Sequence, residues 1–387
     1  MVWKDGFRVN QSYFVTGEMK EIGEDAAAVP GGIVLATFGY DDRGNRISLS
    51  RGNGTSTTYA PDPVSRLATL AQTFPNASSN NLTLGFGYNA ASQIVTNTRS
   101  NDLYTWAGAT VGTTTSTPNG LNQIAAHGVV NFTYDAKGNL TSDGTRSYTY
   151  DAENRLKTAG TAMMSYDPLG RLSWYQGAGG VLDYEGSRLV AELDGANNFA
   201  IVRRYVHGPG ADEPLVQYDS AGTSNRRWLH ADERGSIVAH SDGTGAVVAR
   251  DRYDEYGIPA AGNVGRFQYT GQQRLPGLNL YDYKARIYDP KLGRFLQPDP
   301  IGYGDGMNRC AYVGGVGWIR AVGAFCRLGA GRALFEPLAR ANENRKNLPW
   351  IASSFAAGSR STAASPFPGR RTRRLPFCLA RFSPMSR

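Results

Sequence analysis

Between residues 130 and 175 the chain alternates between two patterns. Aromatic residues stand at every second position, as in Phe132-Thr-Tyr134 and Tyr148-Thr-Tyr150, and a short polar run then breaks the alternation. Every second residue of a strand faces the same side, so each aromatic pair predicts a short strand with one apolar face. The polar runs read Asp135-Ala-Lys-Gly138-Asn139-Leu140, Asp151-Ala-Glu-Asn154-Arg155-Leu156 and Asp167-Pro-Leu-Gly170-Arg171-Leu172. An Asp carboxylate accepts hydrogen bonds from backbone N–H groups a few residues on and so starts a turn. Gly, or Asn in the case of Asn154, tolerates the left-handed backbone that such a turn needs. The leucine then resumes an extended strand, and each unit predicts a β-hairpin.

The tyrosine before the Asp recurs at 134, 150 and 166, a spacing of sixteen. Looser copies are Phe38-Gly-Tyr40-Asp41-Asp-Arg-Gly44-Asn45, Phe86-Gly-Tyr88-Asn89 and Arg252-Tyr253-Asp254-Glu-Tyr-Gly257, with Tyr184-Glu-Gly-Ser-Arg188-Leu189 a degenerate one. A lone hairpin is marginal in water, so consecutive hairpins must pair edge to edge, as the units of a solenoid do. The expected fold is all-β: an antiparallel hairpin ribbon spiralling into a partial hollow shell, with an irregular tail. A β-sandwich or propeller is the competing fold, and the even spacing argues against it. A sugar-binding strip is the functional alternative for the tyrosines, and packing is the stronger expectation. Four regions are expected: a degenerate, loop-rich region over 1–130 that includes the Gly/Ser/Thr-rich stretch 107–120, regular repeats over 131–260, a distinct segment over 261–318 and a basic tail over 319–387.

Charge divides the chain in the same way. Of its 387 residues, the last 79 carry thirteen Arg and one Lys against Glu336 and Glu343, a net +12, which leaves −4 for residues 1–308. All three cysteines, Cys310, Cys326 and Cys378, also fall in this last part. A basic tail is a candidate for nucleic acid or an anionic membrane surface. These arginines form no helical stripe and are not interleaved regularly with aromatics, so no nucleic-acid partner is expected. No run of eighteen apolar residues predicts a membrane span, and MVWKDGFRVNQSYF has no signal-peptide pattern. His127, His207, His230 and His240 lack metal-ligand spacing. No Gly-rich loop joins a strand to a helix to cradle phosphate. Neither metal nor cofactor is expected.

The Tyr-Asp-x-x-Gly-Arg/Asn-Leu units resemble the YD repeats of RHS and teneurin-type shell proteins. Tyr205-Val-His-Gly-Pro-Gly-Ala-Asp-Glu-Pro-Leu215, Asp232-Glu-Arg-Gly-Ser-Ile-Val238 and Gly265-Arg-Phe-Gln-Tyr-Thr-Gly271 resemble RHS segments too. The stretch LYDYKARIYDPKLGRFLQPDPIGYGDGMN, residues 280–308, is similar to the RHS repeat-associated core almost residue for residue. The resemblance is strong over about 130–313, patchy before 130, and absent after about 318. It implies a strand ribbon that encloses a cargo polypeptide, in a protein exported or held at the cell surface and used in bacterial competition. The expected partners are an upstream shell fragment or an encapsulated toxin, with carbohydrate as a further candidate.

The resemblance also implies self-cleavage by an aspartate pair at an apolar residue followed by Asp-Pro-x-Gly-Leu. One carboxylate of such a pair is ionised and the other protonated. The matching positions are Asp299 and, less directly, Asp289, with Arg286 as a nearby cation; the alternative is that both Asp-Pro pairs simply cap turns. After Val313 this chain leaves the family pattern, and no Asp-Pro-x-Gly follows. A shifted reading frame near Gly314–Trp318 is one explanation, and a chance match is the alternative, because the codons force only the Asp of the motif. Trp318 is encoded by TGG and Ile319 by ATN, so the triplet starting on the last base of the Trp codon reads GAT, which is Asp. Sequencing the gene tests this reading, which fails if no single-base change restores the motif. The expectation is therefore a C-terminal shell fragment that acts as a scaffold, without enzymatic activity and with Asp299, Asp289 and Arg286 vestigial. A self-cleaving aspartic-type autopeptidase and a surface binding module are the alternatives.

Overall fold

The structure, a computed structural model, describes residues 1–25, 32–108, 115–176, 180–304 and 308–312. All described residues belong to one compact unit. The expectations for the tail, for Cys326 and Cys378 and for the reading frame lie outside the described residues.

Antiparallel strands make up the whole framework. An eight-stranded sheet runs in chain order from Val9–Tyr13 to Ile94–Arg99. A three-stranded sheet (Ser116–Pro118, Ile124–His127, Val130–Asn131) and a two-stranded one (Thr133–Tyr134, Leu140–Ser142) follow. A long sheet of eleven strands then extends from Tyr148–Tyr150 to Val247–Arg250. Four short strands, Gln273–Leu275, Leu280–Asp282, Ile287–Asp289 and Arg294–Phe295, complete the order. In the eight-stranded and eleven-stranded sheets every strand lies beside its neighbours in sequence, as a ribbon of hairpins requires. Among the described residues there is no α-helix, and no helix is long and apolar enough to cross a membrane.

The turns form as the sequence predicts. Asp151 Oδ1 accepts the backbone N–H groups of Glu153 and Arg155, both at 2.9 Å, while its other oxygen accepts Arg155 Nε at 2.6 Å. Asp135 and Asp167 repeat this, with Asn139 and Arg171 as the closing side chains. The residue three after each Asp has positive φ: Gly138 at 90°, Asn154 at 66° and Gly170 at 78°.

The described residues of 1–99, expected to be degenerate and loop-rich, instead form regular strands joined by short turns. Their turns use the same device with unfamiliar residues. Asp62 and Asn89 accept the same two amides, and Ser65 and Ser92 hold φ values of 64° and 57° in place of a glycine. Asn119, Asp232 and Asp242 add further copies. Within 107–120, expected as loop, Ser116–Pro118 is a strand, and 109–114 lie outside the described residues. The degenerate unit at Tyr184 turns differently: Glu185 pairs directly with Arg188, leaving Gly186 and Ser187 as a two-residue loop with Gly186 at φ 59°.

The sixteen-residue spacing has a physical cause. Tyr150 donates its hydroxyl to the carbonyl of Leu140 at 2.6 Å, and Tyr166 to that of Leu156 at 2.9 Å. Tyr134, Tyr184, Tyr88 and Tyr253 do the same to Ile124, Leu172, Leu67 and Ile237. Each tyrosine therefore fastens its unit to the strand that resumes after the preceding turn. The arginine of the preceding turn covers the ring: Arg155 lies 5.0 Å above Tyr166, Arg171 5.2 Å above Tyr184 and Arg66 4.5 Å above Tyr88. Burial pushes the Tyr166 and Tyr150 hydroxyls well above their ordinary pKa, so they remain donors. Tyr166→Phe keeps the ring and removes the donor, leaving the buried Leu156 carbonyl short of a partner. It is expected to cost about 1–2 kcal/mol in urea unfolding, and Tyr166→Leu more.

The ribbon is also layered. The eight-stranded sheet covers the strands of the long sheet between Arg188 and Arg250. Trp3, Phe7, Ile22, Leu35 and Phe38 share one core with Val190, Val206, Val216, Tyr218 and Trp228. Polar links run beside it: Trp228 Nε1 donates to the Leu35 carbonyl at 3.0 Å, Trp3 Nε1 to that of Val190 at 3.1 Å, and Arg226 grips both oxygens of the buried Glu24. A second core joins the repeats over 140–189 to Phe267, Leu275, Leu280, Ile287 and Leu296.

Candidate functional site

The three residues singled out in the sequence lie on and around the last two described strands: Asp289 ends Ile287–Asp289, Arg286 precedes it, and Asp299 follows Arg294–Phe295. The hairpins of these strands are laid over a cluster of rings: Tyr269, Tyr281, Tyr288 and Phe295 are buried together, with Tyr253, Tyr283 and Tyr312 packed on them. The segment Asn308–Tyr312 returns to this cluster. Phe295 N–H donates to the Cys310 carbonyl at 3.1 Å, Arg294 bridges to Ala311, and the Tyr312 ring lies 4.5 Å from that of Tyr288.

Arg286 and Asp299 come together there. Arg286 Nη2 stands 2.9 Å from Asp299 Oδ2, and its guanidinium lies 3.7 Å over the Phe295 ring. Asp299 also starts a turn: its Oδ1 accepts Ile301 N–H at 3.0 Å and its carbonyl accepts Gly302 N–H at 2.9 Å. Its own N–H donates to the Arg309 carbonyl at 2.7 Å. The Asp-Pro turn and the ion pair thus occur together, against the returning segment.

Asp289 has other neighbours. Its Oδ1 accepts Lys291 N–H at 2.8 Å, and burial pushes its carboxyl up to about 6, opposed by the Lys291 and Leu292 backbone amides. The acid that raises it further is Asp143, whose own carboxylate takes the Tyr148 hydroxyl at 2.6 Å. No hydrogen bond joins Asp289 to Asp299. Asp282, on the neighbouring strand, is alike: buried, pushed up to about 6 mainly by desolvation, and bonded to the Lys284 amide at 2.9 Å. An open cleft of about 590 Å³ lies beside this region, with Phe132, Tyr134, Pro298, Tyr303, Arg309 and Cys310 on its walls. Tyr134 spends its hydroxyl on Ile124 and Asn308 its carbonyl oxygen on the Cys310 amide, so these polar groups serve the chain itself.

The histidines lie apart. His127 bonds Ser116, His207 the Leu189 carbonyl, His230 Ser241, and His240 Asp251 at 3.1 Å. Among the described residues no three His, Cys, Asp or Glu side chains come together as metal ligands.

Several charged clusters were not singled out from sequence. Glu192 is 2% exposed and accepts both guanidinium arms of Arg266, at 3.0 and 2.8 Å, together with the Tyr205 hydroxyl. Arg204, fully buried, pairs with Asp5 inside a cage of Trp3, Phe7 and Tyr218. The readable signal is a charge at a core-facing position, as in Val190-Ala-Glu192-Leu. Its partners, 74 and 199 residues away, are not legible locally.

No family profile matches the chain. Part of it is 30% identical over 142 residues to the tRNA nuclease WapA of Bacillus subtilis, which is 34% of this chain and 6% of that protein. It is 29% identical over 160 residues to Double-stranded DNA deaminase toxin A of Burkholderia cenocepacia, covering 35% of this chain and 11% of the other. The crystal structure of TcdB2-TccC3-TEV superposes with a TM-score of 0.56 at 16% identity, over 80% of this chain and 20% of that one. The all-β ribbon is therefore a known fold, and the chain spans 6%, 11% and 20% of the lengths of these three proteins.

Proposed function

We propose that this chain is a structural segment of an RHS-type shell that encloses a toxin polypeptide, and that it has no catalytic activity itself. One observation carries the reading. Similar segments occur in proteins named for unrelated chemistries, a tRNA nuclease and a DNA deaminase toxin, and make up 6% and 11% of their lengths. A part common to different activities, and small beside the whole, is what a scaffold would be. The chemistry of these residues supports this, because the half-buried Asp151 and Asp167 cap turns and the buried Glu192 neutralises Arg266. The partners implied are an upstream shell fragment and the enclosed polypeptide. The core resemblance over 261–318 is part of the same proposal.

A second reading, self-cleavage, is favoured by the Arg286–Asp299 pair held against Asn308–Tyr312. The full chain, purified and incubated from pH 4 to 8, is expected to remain one intact band, with Asp299→Asn indistinguishable from it. A shortened product that disappears in Asp299→Asn would overturn the scaffold-only reading and make Asp299 catalytic.

A further inference from the structure

A cavity of about 10 Å³ lies between the long sheet and the first hairpin of the last four-stranded sheet, with His207, Gln273, Asp282, Arg188, Asp212 and Lys284 among its walls. On this measure one water molecule needs roughly 10–15 Å³ and two to four polar partners.

The polar groups on these walls are of one kind. His207 Nε2 stands 2.7 Å from the Leu189 carbonyl. A carbonyl only accepts, so Nε2 carries the proton and Nδ1 presents a lone pair. That Nδ1 is buried and has no protein partner. Burial holds the ring down to about 4, so it remains neutral. Gln273 and Asp282 are direct cross-strand partners, so their side chains share a face. Gln273 Nε2 donates to the Tyr184 hydroxyl oxygen at 3.2 Å, which leaves Oε1 as an acceptor, again buried and without a protein partner. The carboxyl of Asp282 takes only the Lys284 amide.

The donors nearby are committed elsewhere. The Lys284 ammonium pairs with Asp212, and Arg188 donates to the carbonyls of Pro209 and Gly210. Each buried acceptor left unpaired costs about 1–3 kcal/mol, and the two residues that carry them, His207 and Gln273, line one water-sized space. We propose that this cavity binds a single internal water molecule, which donates to His207 Nδ1 and Gln273 Oε1, within reach of the Asp282 carboxyl, and so ties the long sheet to the following hairpin. A bound cation fits less well, because hard cations take about six oxygen ligands and only two of these three acceptor groups are oxygen donors.

A crystal structure of the full chain, at a resolution that shows ordered water, tests this. The expected result is one compact peak about 2.6–3.2 Å from His207 Nδ1 and Gln273 Oε1, and loss of that peak in Gln273→Leu while the hairpin persists. Side chains turned to bond each other with no peak between them would overturn the proposal. So would an anomalous signal at the same point in crystals soaked with thallium, which marks a cation site.

Discussion

Replacing Glu192 with alanine is expected to destabilise the chain by about 3–5 kcal/mol, the largest effect of any single change considered. Glu192 sits on the strand Arg188–Asp194, is 2% exposed, and holds Arg266, itself 5% exposed, through two hydrogen bonds. The net worth of the intact pair is small, because desolvating both charges offsets most of their attraction. Removing one partner is different: Arg266 cannot lose its proton, so its charge stays buried and unopposed. Tyr205, fully buried, loses its 2.5 Å acceptor in the same step. Arg203 also reaches Glu192, at 3.4 Å, but is 42% exposed. Arg203→Ala is therefore expected to cost less than about 1 kcal/mol. Urea unfolding of the two variants side by side checks the claim, and equal costs would refute it.

Two buried carboxyls are expected to contribute stability in acid that is lost towards neutral pH. Asp282 and Asp289 are each pushed up to about 6 by burial, above the 3.8 of a free aspartate. A carboxyl raised on folding contributes stability that is fully present below its unfolded pKa. That stability is lost as pH rises through the folded one. The window is therefore about pH 4 to 6, and at 1.36 kcal/mol per unit each group is worth on the order of 3 kcal/mol. The turn aspartates run the other way. Asp62, Asp151 and Asp167 are lowered by the amides and arginines they bind, and their contribution fades only as pH falls below about 4. The buried histidines oppose the two aspartates. Burial lowers His207 to about 4 and His230 well below 6.5, so their contribution is lost as pH falls, while buried Glu233, pushed up to about 7, acts as the aspartates do. Asp282→Asn and Asp289→Asn test the assignment, because Asn accepts the same turn amide, as Asn89 and Asn119 do. Relative to wild type, the double variant is expected to gain stability as pH rises from 4 to 8, and a difference from wild type that does not change with pH would contradict the assignment.

The ribbon from Phe132 to Leu172 was legible because each of its signals is local. Aromatic alternation, an Asp, a residue that tolerates positive φ and a leucine all fit within nine residues, and sixteen-residue spacing repeats them. The first sheet was harder to read for the same physical reason. Its turns put Ser65 and Ser92 where glycine was sought, and strands such as Ser56–Pro61 show Thr and Ala in place of aromatics. The layering was not legible at all. Nothing near Glu24 announces Arg226, 202 residues on, and nothing near Trp3 announces Val190. Of the candidate site, the sequence suggested Arg286 as a cation near both aspartates, and the structure pairs it with Asp299. The sequence did not indicate that the acid facing Asp289 is Asp143, because that contact depends on how two distant turns stack.

The account rests on one continuous ribbon whose first sheet is fastened onto the strands between Arg188 and Arg250. Amide hydrogen exchange of the full chain, with and without Trp228→Ala, tests this most directly. The variant removes a buried indole and its bond to Leu35, both on the seam between the layers. The account predicts that amides in 34–51 and 188–231 are protected together and lose protection together in the variant. Protection lost only around Trp228, with 34–51 unchanged, would contradict it.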